Sequence, residues 1–369
     1  MPAQPPDRIQ SVLETVLPSQ VPRRDGEDLS AWLTEASASV ATLRARAPAP
    51  DRLGGLLVEH LLALAEGPVS QGLLRSPGRA VLLGELARNL ADPGRINQGR
   101  KQTCAPTCVE TYLGITDPGE YARVAVGLCS PDGTVTLADG NFILQRDGDA
   151  PLLWEEVEGD RSPISRLIQV AAMEAASADH DYDNAADAQL DGAGLSAGSG
   201  MDLAAFDTLI EAVTGVAWER WRRVEHGFLE MLHGQGVGAK PLGLDDLLGA
   251  TEASLAGGDF AFATLVPAGV DPRRLARAMG GFDPRASLDE IEAVDGPVHM
   301  KGHKVRIVGL DREAGTVRFD DPLDPDVSWM GLGATLEDAS GVCAMPLQTF
   351  LECAADFSLR SDFWPTPAS

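Results

Sequence analysis

The chain has 369 residues, 44% hydrophobic and 23% charged, enough to bury one large core or two ordinary ones. A formal net charge of −25 leaves too little clustered Lys and Arg for phosphate contacts, which argues against nucleic acid and anionic membrane as partners. The five cysteines are odd in number and follow no disulfide-framework spacing, and no apolar run approaches ~18 residues. The first twenty residues, MPAQPPDRIQSVLETVLPSQ, lack the basic start and apolar core of a signal peptide, so a cytoplasmic protein with reduced thiols is expected.

Residues 1–6 are Pro-rich and expected to be loose. From Asp7 to about Leu90 apolar residues recur at helical spacing: Ile9, Val12, Leu13 and Val16, then Leu56, Leu57, Leu61, Leu62 and Leu64. Asp51 is placed to cap the leucine-rich helix, and His60 on that helix reads as a packed or surface residue. Glu120–Leu128 is amphipathic, residues 130–144 read as short hairpins around Asp-Gly turns, and Pro163–Ala176 reads as another helix. Residues 177–199 are a polar loop or insertion, and Asp202–Met231 reads as helix interrupted near Gly215. Trp218-Glu-Arg-Trp221-Arg-Arg223 within it is read as a helix face with snorkelling arginines. From about Thr251 the pattern turns to strands: 259–267, 297–300, 304–310, 316–320 and 342–346, followed by a closing helix over 346–357. Helices first and strands last predict an α+β protein.

Two stretches carry the candidate chemistry. In Ile96–Leu113, INQGRKQTCAPTCVETYL, a Gly-containing loop runs into Cys104, and Pro106 suits the first turn of a helix. A thiol at a helix mouth is stabilised as thiolate by the dipole. Gln98 stands six positions earlier, where its amide can donate to an oxyanion beside the Cys104 N–H. Cys108, with Gln102 six positions ahead of it, repeats the spacing, but one turn into the helix its side chain is expected to pack. In Gly302–Pro322, GHKVRIVGLDREAGTVRFDDP, His303 opens an alternating run at a strand entrance, with His299 as the alternative. Asp321 precedes a proline that holds its backbone extended, and it is expected to orient the imidazole so that Nε2 is left free as base.

The run Gln98–Cys108 resembles the Gln-x5-Cys-Gly-Pro-Thr/Ala motif of papain-fold cysteine peptidases of the bacteriocin-leader-processing (double-glycine) group. The run Gly302–Pro322 resembles that group's second signature: a Gly-His pair, an apolar strand ending in Gly-Tyr-Asp, and a strand ending in Asp-Pro. Ala105 stands where the group has Gly, and Leu310 where an aromatic is common. The resemblance implies a papain-like fold with Cys104 as nucleophile, His303 as base, Asp321 as orienter and Gln98 as oxyanion residue. Residues 1–91 would then form a helical N-terminal extension or cap, and 92–369 the hydrolase domain with an insertion around 177–235.

No cofactor or metal is expected. The oxygen-rich run Asp179-His-Asp-Tyr-Asp-Asn184, with Asp187 beyond it, has Asn184 and Leu190 at the sixth and twelfth positions, where a calcium loop needs Gly and Glu. Cys104 and Cys108 have no second pair at zinc spacing, and Cys129, Cys343 and Cys353 sit in apolar contexts expected to be core. The expected function is a cysteine hydrolase, a peptidase acting on a protein or peptide substrate. The alternatives are a non-catalytic interaction module on the same fold, and a transglutaminase, deamidase or acyltransferase using the same thiol chemistry.

Overall fold

The computed structural model describes residues 5–17, 28–99, 101–148, 161–176, 182, 184, 187, 201, 203–223, 229–232, 244–265, 303–322, 334–337 and 341–363. They are mixed α and β, with antiparallel sheets throughout. Contacts divide the chain into two compact units. One comprises Met1–Gly99, Val109–Asn184 and Ala212–Thr214; the other comprises Arg100–Cys108, Ala185–Glu211 and Gly215–Ser369. The N-terminal helices thus share a unit with 109–184.

The first unit is mainly helical: α1 Pro5–Leu13, α2 Leu29–Ala45, α3 Leu57–Glu66, α4 Gln71–Arg75 and α5 Arg79–Ala91, then most of α6 Cys104–Thr116, with α7 Pro118–Cys129 and α8 Pro163–Ala176. The helix α1 already begins at Pro5, so the expected loose N-terminus is shorter than residues 1–6. Proline is at home there because a first-turn N–H has no helical partner. Asp28 caps α2, its Oδ1 accepting from the Ala31 N–H at 2.8 Å, and Trp32, Ala36, Val40 and Leu43 form the buried stripe. The helix α5 is buried along its whole middle, Ala80–Leu90. Gly84 allows the close approach there, since a Cβ would come within 2.4 Å of the Trp32 ring. Glu85 gathers two of the buried donors there: Trp32 Nε1 and Arg88 Nη1 donate to it at 2.7 and 2.8 Å.

Asp51 is not the cap of α3. That end is closed by Glu59, whose carboxylate accepts from the Leu56 N–H at 2.8 Å. Asp51 instead accepts from the N–H groups of Leu53 and Gly55 and meets His60 Nε2 at 2.6 Å, which makes His60 a structural partner. The expected hairpin is β1 Thr134–Thr136 with β2 Ile143–Gln145, paired antiparallel.

The second unit holds an eight-stranded sheet. Its strands are β3 Trp218–Arg223, β4 Leu229–Leu232, β5 Ala261–Leu265, β6 His303–Asp311, β7 Thr316–Asp320, β8 Thr335–Leu336, β9 Val342–Pro346 and β10 Ala354–Arg360. Their order is β4-β3-β10-β5-β6-β7-β9-β8. Three helices accompany them: α9 Leu203–Thr214, α10 Leu244–Ala256 and α11 Leu347–Cys353. Trp221, Phe357, Ala263 and Val305 lie in one cross-strand row, as do Ile307, Phe319 and Cys343. Both rows face the apolar core, which α10 and α11 complete with Leu247 and Phe350. Asp356, Thr264 and Lys304 form the neighbouring row. Because successive strand residues alternate faces, this row lies on the opposite side of the sheet. The β6–β7 turn needs Gly315, at φ +65°, and is pinned by Asp311 accepting from the Ala314 N–H at 2.8 Å.

Four further expectations are corrected here. Residues 202–231 are not one helix: α9 ends at Thr214, Gly215 turns the chain at φ +68°, and β3 and β4 follow as antiparallel strands. The Trp/Arg cluster is therefore a strand, with Trp221 in the core and Arg220 paired to Asp207 at 3.1 Å. Residues 244–256 are helical, so the strand region opens later than Thr251. The closing helix stops at Cys353, and 354–360 form the central strand β10. Residues 297–300, His299 and Gly302 lie outside the described residues, as does most of the 177–199 stretch.

Candidate active site

Cys104 is the first residue of α6, and Thr103 carries the first helical acceptor, taking both the N–H and the hydroxyl of Thr107 at 2.9 and 2.7 Å. The N–H groups of the first turn are therefore uncommitted to the helix, and Pro106 removes one of them altogether. Cys104 as a residue is partly exposed, whereas Cys108 is buried.

The strand β6 supplies the other half. His303 sits at its start, and the next residue, Lys304, donates its backbone N–H to Cys104 Sγ at 3.4 Å. Lys304 also accepts from Cys108 Sγ through its carbonyl at 3.5 Å, so one residue marks the places of both thiols. His303 Nε2 lies 2.7 Å from Asp321 Oδ1, and the ring makes its other side-chain hydrogen bond with Cys104. The nitrogen facing the thiol is therefore Nδ1, the reverse of the expected assignment. Asp321 follows the end of β7, where its N–H donates to the Gly341 carbonyl at 3.2 Å.

The electrostatics separate the two cysteines. At Cys104 burial opposes the thiolate, but the hydrogen bond and charge of His303, with the N–H groups of Lys304 and Ala105, outweigh it and bring the thiol below its ordinary value. At Cys108 burial and the neighbouring Cys104 and Asp320 charges push the thiol well above it. At His303 burial disfavours the charged ring, yet Asp321 and Cys104 overcome this and raise it to about 10. A lowered thiol beside a raised imidazole favours the thiolate–imidazolium pair, the form in which a cysteine can act as a nucleophile.

Thus Cys104, His303 and Asp321 come together within the second unit. Gln98 is fully buried and belongs to the first unit, so its oxyanion role rests on the sequence motif alone. Sequence reasoning missed the donors Lys304 N–H and Ala105 N–H, because backbone groups carry no residue-type signal. It also missed Asp187, whose carboxylate accepts from the Gln102 N–H at 2.8 Å. Asn184, from the same oxygen-rich run, accepts from the buried Arg161 guanidinium at 2.6 Å. Among the described residues no group of three His, Cys, Asp or Glu side chains is arranged to hold a metal ion, and no helix is long and apolar enough to cross a membrane. Cys129, Cys343 and Cys353 are buried. No protein-family model, curated protein or solved structure matches the chain.

Proposed function

We propose that the protein is a cysteine hydrolase with a papain-like fold, related in plan to the bacteriocin-leader-processing peptidases, and that it cleaves amide bonds in a protein or peptide substrate. The observation that carries this reading is the chain of contacts from the Cys104 thiol to His303 and on to Asp321, with the thiol lowered and the imidazole raised.

In this reading each residue has one task. The Cys104 thiolate attacks the substrate carbonyl carbon, and the carbonyl π pair moves onto oxygen. The resulting oxyanion is held by the Cys104 N–H at the open start of α6, with Gln98 as second donor in the motif's assignment. His303, protonated at Nδ1, gives that proton to the departing amine as the C–N bond breaks, leaving a thioester. Neutral His303 then takes a proton from water, whose oxygen attacks the thioester, and the acid product leaves with thiolate and imidazolium restored. Asp321 keeps the ring oriented and stabilises its charge throughout. The same thioester can be opened by an amine, so transferase chemistry shares every residue named. Five free cysteines support a reducing, cytoplasmic setting.

Incubation with a mixed peptide library, read by mass spectrometry, tests the assignment. Cleavage by the wild type should vanish in Cys104→Ala and persist in Cys108→Ala. Cleavage surviving in Cys104→Ala, in protein free of contaminating peptidase, would remove the nucleophile from this scheme.

A further inference from the structure

The loop that delivers Cys104 to the helix mouth has a fastening of its own. Asp187, 1% exposed, reaches it with two groups: its Oδ2 accepts from the Gln102 N–H at 2.8 Å, and its carbonyl accepts from Lys101 Nζ at 2.7 Å. Lys101 is equally buried and Thr103 fully so. Residues 101–103 belong to no strand or helix, so their backbone donors depend on partners of this kind. Thr103 in turn carries the first acceptor of α6, taking both donors of Thr107. A displacement of the loop is thereby passed to the first turn, where Cys104 Sγ stands 3.4 Å from the Lys304 N–H. That is an ordinary separation for an N–H···S bond, and such a bond weakens steeply once it is misaligned.

We propose that Asp187 is a positioning residue for the Cys104 thiol, its carboxylate clamping the loop at Gln102 so that the first turn of α6 presents the sulfur to His303 and the Lys304 N–H. This rests on the reading of Cys104 as an activated nucleophile. It gives a role to one member of the oxygen-rich stretch that has no metal-loop pattern. The clamp acts through an acceptor oxygen aimed at one N–H, so an amide at the same position can replace the carboxylate, whereas a methyl group cannot.

The experiment is the rate of iodoacetamide alkylation of Cys104 against pH, read by peptide mass spectrometry, in wild type, Asp187→Ala and Asp187→Asn, with a thermal melt of each. Loss of that hydrogen bond should slow Asp187→Ala about tenfold at neutral pH and move its profile toward the ordinary thiol range. Asp187→Asn should keep the wild-type profile even if its melting temperature falls, a separation that a purely structural role would not give. Should Asp187→Ala not fold, Asp187→Glu carries the test, since its carboxylate lies one methylene farther out and should shift the profile in the same direction. An activated wild type with an unshifted Asp187→Ala, or an unshifted Asp187→Glu where that variant stands in, overturns the clamp alone. A shift in Asp187→Asn as large as in Asp187→Ala also overturns it. A wild-type profile already at the ordinary thiol range overturns the nucleophile reading, and the clamp falls with it.

Discussion

Lys304 shows how much a single residue can fix. Its N–H faces Cys104, its carbonyl faces Cys108, and its ammonium is buried against Asp356 Oδ1, Thr264 Oγ1 and Ser358 Oγ at 3.0–3.2 Å. The Phe206 ring covers that charge, 4.3 Å from its centroid. At this scale the sequence was informative about side chains and silent about backbone. Cys104, His303 and Asp321, which the structure brings together, could be picked out by residue type. Which imidazole nitrogen faces the thiol could not, since it depends on the direction from which Asp321 meets the ring. Asp321→Asn tests that contact. The variant leaves His303 buried without its carboxylate, so its pKa should fall from about 10 by more than one unit in an NMR titration of the ring. A titration unmoved by the substitution would take Asp321 out of the site. The linkage has a definite sign: a raised imidazole stabilises the fold below its ordinary value of 6.5, and that contribution is lost as pH rises through about 10.

At the scale of elements, long periodic segments were readable and short ones beside glycine were not. The helix α8 falls where its apolar spacing puts it, Pro163–Ala176. Residues 218–223 were drawn into the preceding helix because Trp and Arg at mixed spacing satisfy either period; Gly215 decides the matter in favour of a strand. The strand β10 was hidden for a different reason. Asp356 and Ser358 are polar yet fully buried, because they hold the Lys304 ammonium, so residue type alone does not mark the run as a buried strand. Lys304→Met should therefore cost about 3–5 kcal/mol in urea denaturation by stranding the Asp356 carboxylate. The double variant Lys304→Met/Asp356→Leu should recover most of that loss. A double variant no more stable than the single one would mean that the charge pair is not what holds β6 to its neighbours.

Across the whole molecule, the α+β character was legible from the order of helices and strands, but the two units were not. They interleave along the chain, with 100–108 and 212–214 each assigned away from their flanking residues, and a reading in contiguous blocks cannot see that. Stability carries a second pH signature from the first unit. Glu110 is fully buried, and although Tyr121, Ser165 and Gln169 donate to it, burial dominates and pushes its carboxyl up to about 7. The folded state then holds a proton that the unfolded chain releases near 4.5, so stability falls as pH rises from about 4.5 to about 7 and is flat beyond. The fall attributable to Glu110 is on the order of 3 kcal/mol. Glu110→Gln should flatten that part of the curve in denaturation at stepped pH; an unchanged slope would place the proton elsewhere.

The central claim is that one thiol of five is activated, and alkylation resolved by cysteine tests it most directly. Native protein exposed briefly to iodoacetamide near neutral pH, then digested, should carry the label at Cys104, with Cys108, Cys129, Cys343 and Cys353 unmodified. The midpoint of the Cys104 profile should lie below 9.0. Labelling of Cys104 at the rate of an ordinary thiol, or preferential labelling of Cys108, would contradict the account.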